Sequence, residues 1–141
     1  MRQTEDEPFV GYVHQGREAL YTDNTLHTLL LTEKARSLGL TYGYLLAVLN
    51  SRVLREIYQA VAQEEGRTLA QVKTTLVNRL PIVIPQASAR RALEALVEQV
   101  QSCYKEGGLP LDADAEPRIE GLQTEIDEGV RTLYEVVLEG V

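Results

Sequence analysis

One stretch, from Thr41 to Gln63, constrains this 141-residue chain more than any other. On a helix, at about 100° per residue, its apolar side chains fall on a single stripe. The stripe consists of Tyr42, Leu46, Leu49, Val53, Ile57 and Ala60. Asn50 projects about 40° from Leu46 and therefore lies inside the stripe. We predict one long helix with a buried face, tied to a neighbouring segment by Asn50, because an unpaired buried amide costs about 1–3 kcal/mol.

Short β-prone runs precede this helix. The runs FVGYVH, EALY and TLHTLLL lie within residues 9–31 and are separated by turn-forming residues, Gln15-Gly16 and Thr22-Asp23-Asn24. This pattern predicts a β-meander. Residues 33–39 are expected to form a short connection or helical turn that ends at Gly39.

After the long helix, the sequence pattern is ambiguous at residues 67–73 and better defined at residues 80–85. Residues 67–73 fit either a helix or a strand. The run LPIVIP at residues 80–85 is apolar, β-branched and bracketed by prolines, which favours a strand at a sheet edge with Pro81 in a structural role.

The C-terminal part of the sequence is helical in pattern. Ser88 is a candidate N-cap for a helix whose stripe runs to Cys103 and ends at Gly107-Gly108, and Pro117 fits the first turn of a second helix. Two such helices joined by a short loop are expected to pack antiparallel. We therefore predict an α+β fold: a small antiparallel or mixed sheet braced by one long helix, followed by an antiparallel helical hairpin.

This fold divides into a disordered lead-in at residues 1–7, a first domain at residues 8–85 and the hairpin at residues 86–141. The formal net charge of −7 is unevenly spread over these parts. Residues 8–80 carry eight basic and six acidic side chains, whereas residues 81–141 carry five and twelve. The first part therefore permits contact with phosphates.

Composition and motifs exclude several classes of protein. No apolar run is long enough to span a membrane, no signal peptide is evident, and the single Cys103 excludes an internal disulfide, so we expect a cytoplasmic protein. His14 and His27 lack partners at metal-ligand spacing, and no catalytic motif occurs. Two hypotheses remain: a nucleic-acid-binding module in residues 8–85, or a protein–protein scaffold or dimerisation module that works through the hairpin.

Three motifs in order carry a family resemblance. They are Leu49-Asn50-Ser51, Leu80-Pro81-Ile82, and the run from Ile126 to Tyr134 that reads IDEGVRTLY. Over residues 20–138 their order and spacing resemble the C-terminal target-recognition region of restriction–modification DNA methyltransferases. The resemblance is to the Taq-type adenine methyltransferases and the fused single-chain endonuclease–methyltransferases, and the layout is similar to type I specificity subunits.

The resemblance implies a non-catalytic fragment that positions an enzyme on a specific sequence in double-stranded DNA, with residues 8–85 as a partial target-recognition domain. It implies that the catalytic domain, with its S-adenosylmethionine pocket and Asn-Pro-Pro-aromatic loop, lies upstream and is missing here, so no cofactor is expected in this fragment. The hairpin is then a spacer or docking element towards that methyltransferase domain, and self-association through it is a further expectation.

Sequence readout requires side chains that reach base edges, and loops at one end of a small sheet are suited to present them. The candidate DNA-binding residues are Arg17, Asn24, Arg67, Gln71 and Lys73. Each also fits an ordinary solvated loop residue, and that alternative stays open. Asn50 is assigned a structural role, and Asp127 is expected either to bond a partner at the hairpin junction or to face solvent.

Overall fold

A computed structural model provides the fold and describes residue 19 and residues 28–64, 74–107 and 114–139. The helices within these ranges are α1 (Glu33–Ser37), α2 (Tyr42–Leu49), α3 (Arg52–Glu64), α4 (Thr74–Val77), α5 (Ala87–Gly107) and α6 (Ala115–Glu139). No strand forms in the described ranges. The predicted α+β class, with a small sheet braced by one long helix, is therefore wrong, and the described architecture is helical.

The run LPIVIP shows why the strand prediction failed. Residues 80–86 form neither helix nor strand, and the carbonyls of Pro81 and Val83 accept hydrogen bonds from tyrosine side chains. Ile82 and Val83 are partly buried and pack against the helical core. An apolar β-branched run can therefore bury itself between helices, with its backbone satisfied by side chains, without joining a sheet.

The predicted meander falls largely on residues outside the described ranges. Of the run TLHTLLL, residues 28–31 are described and form no strand. The expected helical turn before Gly39 is present as α1, and Gly39 has φ of +89°. This left-handed backbone favours glycine in the turn that ends α1, where the Leu40 N–H donates to the Ala35 carbonyl at 3.1 Å.

The predicted single helix from Thr41 to Gln63 is broken into α2 and α3 at Asn50 and Ser51. The break changes which residues are buried. In α2 and α3 the buried apolar side chains are Tyr44, Ala47, Val48, Leu54, Tyr58 and Ala62, whereas Ala60 of the predicted stripe is exposed. Leu46, Leu49, Val53 and Ile57 of the predicted stripe are partly buried and pack against the core, so the most buried face of the two helices is shifted from the predicted one.

One apolar cluster joins α2 and α3 to α5 and α6. Besides the α2 and α3 side chains, it contains Leu76, Leu80, Leu93, Val97, Ile126, Val130 and Tyr134. The fully buried members include Tyr44 of α2 and Val130 of α6, both at 0% exposure. The described residues on both sides of the predicted domain boundary at residue 85 therefore share one core.

Helices α5 and α6 pack closely on each other. A Cβ atom built on Gly129 of α6 would lie 2.9 Å from Leu93 Cδ2 of α5. Leu93 lies fourteen residues before the end of α5 at Gly107, and Gly129 lies fourteen residues after the start of α6 at Ala115. Because the contact is equally far from the connection on both helices, α5 and α6 run in opposite directions. Ser88 is not the cap that was predicted, since α5 begins at Ala87, whereas Pro117 lies in the first turn of α6 as predicted.

The two glycines of α6 provide a test of this packing. Alanine at either position gains about 1 kcal/mol of helix propensity over glycine. A Cβ on Gly121 would meet nothing within 4 Å, whereas one on Gly129 would press on Leu93. We expect Gly129→Ala to be less stable than Gly121→Ala by about 1–3 kcal/mol, because inserting a methyl group into a packed core strains it. Urea unfolding measures the difference, and equal stabilisation by both substitutions would contradict the close approach.

Candidate nucleic-acid interface

All five predicted DNA-contacting residues lie outside the described ranges. They are Arg17, Asn24, Arg67, Gln71 and Lys73. The first two precede α1 in the chain, and the other three lie between the end of α3 at Glu64 and the start of α4 at Thr74. The two groups therefore enter the described structure on opposite sides of the break between α2 and α3.

Two adjacent polar residues form this break. Asn50 closes α2, with φ of −86° and ψ of 0°, and its N–H donates to the Leu46 carbonyl at 3.1 Å. The fully buried Ser51 donates from Oγ to the Val48 carbonyl at 2.6 Å and accepts from the Leu54 N–H at 3.3 Å. One hydroxyl therefore satisfies a carbonyl near the end of α2 and an amide in the first turn of α3.

Helix α6 supplies the remaining partners at the break. Asp127 Oδ1 accepts from the Arg52 N–H, the first amide of α3, at 3.0 Å. Gln123 Nε2 donates to the same Asp127 oxygen at 3.1 Å and lies 3.4 Å from the Asn50 carbonyl oxygen, at the long end of hydrogen bonding. We call this pair, Gln123 and Asp127, the α6 clamp. The α6 clamp spans the break, because Gln123 contacts the carbonyl at the end of α2 and Asp127 contacts the first amide of α3.

A second polar junction ties the start of α2 to α5. Thr41 Oγ1 accepts from the Tyr44 N–H at 3.2 Å as the N-cap of α2, and donates to Glu94 Oε1 at 2.8 Å. Arg90 Nη1 donates to the Gly39 carbonyl at 2.9 Å. Arg90 Nε lies 3.1 Å from Glu94 Oε1, which is ion-pair distance, although its N–H is not directed for a hydrogen bond. The entry of the chain into α2 is thereby held on α5.

Two buried tyrosines hold the segment that contains Pro81. The Tyr134 hydroxyl of α6 donates to the Pro81 carbonyl at 2.6 Å, and the Tyr44 hydroxyl of α2 donates to the Val83 carbonyl at 2.7 Å. The Pro81 side chain itself is exposed. The segment that leads from α4 to α5 is therefore fixed through backbone carbonyls that have no strand partner.

Burial raises the pKa of both tyrosine hydroxyls. For Tyr44, burial is the larger cause and the nearby Tyr134 adds to the rise in pKa. For Tyr134, burial again raises the pKa, while a backbone hydrogen bond with Val83 partly opposes the rise. Both rings consequently stay neutral at physiological pH and keep the proton that each one donates to a carbonyl.

The elements that precede α5 and helix α6 differ in net charge. The described residues within 28–64 and 74–86 carry five basic and three acidic side chains, a net charge of +2. Helix α6 carries two basic and seven acidic side chains, a net charge of −5. Its exposed carboxylates are those of Glu116, Glu120, Glu125, Glu128 and Glu135. A polyanion such as DNA is repelled by this surface and is better tolerated on the elements that precede α5.

The sequence analysis identified part of this arrangement. Of its two alternatives for Asp127, the structure shows the one in which the carboxylate bonds a partner. Tyr44, Glu94 and Gln123 were not predicted, because side chains that bond a distant segment leave no periodic signal in a sequence. Tyr134 was noticed only as the last residue of the IDEGVRTLY motif, which also contains Asp127.

The described part of the chain contains no group of three or more His, Cys, Asp or Glu residues placed to hold a metal ion. Cys103 is buried in α5. Across the residues whose placement is known, no helix combines the length and apolar character needed to cross a membrane.

Comparison with known proteins gives one match. A family model described as a TaqI-like C-terminal specificity domain matches residues 1–82. Neither the curated proteins nor the solved structures contain a match to the chain. Residues 83–141, which include α5 and α6, lie outside the matched range.

The tyrosine contacts predict a loss of stability at alkaline pH. A phenol whose pKa is raised by folding stabilises the native state fully below its unfolded pKa of about 10, and this contribution is lost as the pH rises towards the folded pKa. We expect the free energy of unfolding to fall above about pH 10, and to fall less steeply in Tyr44→Phe. Tyr104→Phe is the matched control, because Tyr104 is exposed. Identical pH dependence in all three proteins, measured by urea unfolding, would contradict this role of Tyr44.

Proposed function

The chain belongs to the TaqI-like C-terminal specificity domain family, and on that premise we propose that it reads a target sequence in double-stranded DNA for a restriction–modification DNA methyltransferase. The match over residues 1–82 carries this proposal and confirms the family predicted from the motifs. A specificity domain serves DNA recognition and is generally non-catalytic. The chemistry then belongs to a methyltransferase domain that binds S-adenosylmethionine, in a parent that is either a Taq-type enzyme or a fused endonuclease–methyltransferase.

The proposed DNA contacts come from two places in the chain. Arg17 and Asn24 lie before α1, and Arg67, Gln71 and Lys73 lie between α3 and α4. Arg, Asn and Gln can hydrogen-bond base edges, whereas Lys supplies a point charge to phosphate. The charge distribution supports this placement, because the described residues up to residue 86 carry a net charge of +2 and the acidic α6 lies after them.

Helices α5 and α6 act in this proposal as the support of the recognition elements. Their polar side chains bond the carbonyls of Gly39 and Asn50, which flank α2, and the first amide of α3. Their apolar side chains share the core with Tyr44 and Leu54. The outer, acidic face of α6 points away from DNA and is available to the methyltransferase domain. Docking of that domain and self-association of the chain both belong to the proposal.

The alternative of a scaffold that works through the α5–α6 pair has less support. Leu122 and Ile126, in the apolar stripe of α6, are 8% and 2% exposed and belong to the interior of the chain itself. Aspartate substitutions at these positions would disrupt folding before they tested any partner. Among the residues of α5 and α6 whose side chains are described, the exposed large apolar ones are Tyr104, Val136 and Val137. A scaffold surface would have to use these side chains, whereas the family match supports DNA recognition, which is the function that we retain.

Titration with DNA tests the proposal. The purified chain is first used to select from a duplex library with a randomised core, and the enriched duplex and a scrambled duplex are then titrated by fluorescence anisotropy at low and moderate salt. We expect Lys73→Ala to weaken both duplexes and to reduce the salt slope by about 1, as the loss of one phosphate contact does. Arg67→Ala should cost about 1–3 kcal/mol on the enriched duplex only, as the loss of a base contact does.

Arg118→Ala is the matched control for these substitutions. Arg118 is an exposed arginine on the acidic helix α6, and its removal should leave both titrations unchanged. Absence of binding to either duplex at both salt concentrations would contradict the proposal, as would full retention of target choice by the parent enzyme after Arg67→Ala and Lys73→Ala.

A further inference from the structure

Basic side chains gather where the end of α1 meets the start of α5. Arg90 Nη1 of α5 donates to the Gly39 carbonyl at 2.9 Å, and the Gly39 N–H donates to the Arg36 carbonyl of α1 at 3.0 Å. Arg90 and Gly39 are 51 residues apart in the chain, so this contact joins cations that are distant in sequence. Residues 28–41 and 84–94 together carry four basic and two acidic side chains, a net charge of +2.

Three of these cations are not neutralised by a carboxylate of the described residues. Arg90 lies at ion-pair distance from Glu94, as the basic residues Arg52 and Arg131 do from their own glutamates. Lys34, Arg36 and Arg91 are exposed, and none of them forms an ion pair within the described part of the chain. We call these three residues the basic surface.

Helical geometry directs Arg91 away from the acidic helix α6. Leu93 marks the side of α5 that faces α6, because it lies against Gly129. Glu94 marks the side that faces α2, because it accepts a hydrogen bond from the Thr41 hydroxyl. At about 100° per residue, Arg91 projects about 60° from Glu94 and about 160° from Leu93. Arg91 is therefore on the flank of α5 that borders the start of α2, and α6 lies on the opposite flank.

Helix α1 presents the other two cations. Lys34 and Arg36 stand on either side of Ala35, which is the partly buried residue of this helix, so both side chains are exposed beside the position that faces the protein. Two side-chain hydrogen bonds fix the turn that carries them. Thr32 Oγ1 accepts from the Ala35 N–H at 3.1 Å, and the Ser37 hydroxyl donates to the Lys34 carbonyl at 2.7 Å. The contact between Arg90 and Gly39 then holds this turn beside α5.

We infer that Lys34, Arg36 and Arg91 bind the phosphate backbone of the DNA that the chain recognises. This inference rests on the proposed function. Guanidinium groups bind phosphate through paired hydrogen bonds, and lysine adds a point charge. Such contacts fix the position of a protein on the duplex without reading its bases. Arg91 lies outside the range matched by the family, so α5 contributes to DNA binding as well as supporting the elements before it.

The salt dependence of DNA binding by the whole chain tests the inference. Lys34→Gln, Arg36→Gln, Arg91→Gln and the variant with all three substitutions are titrated with the enriched and the scrambled duplex. Each single substitution should weaken both duplexes alike and reduce the salt slope by about 0.9. From about 50 to about 200 mM salt, the triple variant should lose about 40-fold less affinity than the unchanged chain, which corresponds to three lost phosphate contacts.

Arg118→Gln is the matched control for the single substitutions. It removes the same charge from an exposed position on α6, and the salt slope should stay unchanged. Because all the substituted side chains are exposed, urea unfolding of every variant should match that of the unchanged chain.

Chemical modification provides a second readout, one position at a time, on the unchanged chain. Phenylglyoxal modifies exposed arginines and an acetylating reagent modifies exposed lysines, and mass spectrometry measures the extent of modification with and without the enriched duplex. We expect bound DNA to protect Lys34, Arg36 and Arg91 from modification and to leave Arg118 reactive.

The outcomes separate the inference from the proposed function. If the unchanged chain binds DNA but the triple variant keeps the salt slope of the unchanged chain, the inference fails alone. It also fails if bound DNA leaves Arg91, or both Lys34 and Arg36, as reactive as Arg118, since the contact requires both α1 and α5. If the unchanged chain binds neither duplex, the proposed function fails and the inference fails with it.

Discussion

The structure depends on how the backbone groups at the α2–α3 break are satisfied. A helix that ends leaves carbonyls without partners, and a helix that begins leaves amides without partners. Here both sets meet within three residues, Asn50 to Arg52, and Ser51 is completely buried. Ser51 satisfies one group of each kind, and Gln123 and Asp127 of α6 supply partners for two more. The break is therefore stable only where α6 lies against it.

The same dependence recurs at the other junctions. Glu94 and Arg90 of α5 secure the start of α2, and Tyr134 of α6 secures the carbonyl of Pro81. Each of these side chains lies outside residues 1–82, the range that identifies the family, whereas the groups that they bond, in Thr41, Gly39 and Pro81, lie within it. One apolar cluster also unites the two parts, so α5 and α6 share a core with the described residues of the matched range.

Sequence reasoning located the helices better than it located their ends or their surroundings. Periodicity identified the helical character of residues 41–64 and of both C-terminal helices, because a one-sided apolar pattern is a property of a single segment. It missed the break at Asn50, although Asn and Ser are residues that favour helix ends over helix interiors. The apolar pattern continued across the break and concealed it.

The prediction of a small sheet was the larger error. Ile82 and Val83 have the composition of a strand, yet their neighbours are helices, and the hydrogen bonds of this segment come from Tyr44 and Tyr134. Tyr44 is 39 residues from Val83 in the chain, and Tyr134 is 53 residues from Pro81. No local sequence pattern predicts contacts at such separations. The candidate DNA contacts were chosen from residue chemistry and loop position alone, and they stay predictions because all five lie outside the described ranges.

Native-state hydrogen exchange tests most directly whether the elements before residue 84 and helices α5 and α6 form one cooperative unit. In such a unit, the core amides of α2, α3, α5 and α6 exchange through the same opening, with equal free energies and an equal response to low concentrations of denaturant. We predict this common free energy for the amides of Val48, Leu54, Val97 and Val130, which are buried in the shared cluster. Exchange of Val48 and Leu54 at a markedly lower free energy, while Val97 and Val130 remain protected, would show that α5 and α6 fold independently and would contradict the account.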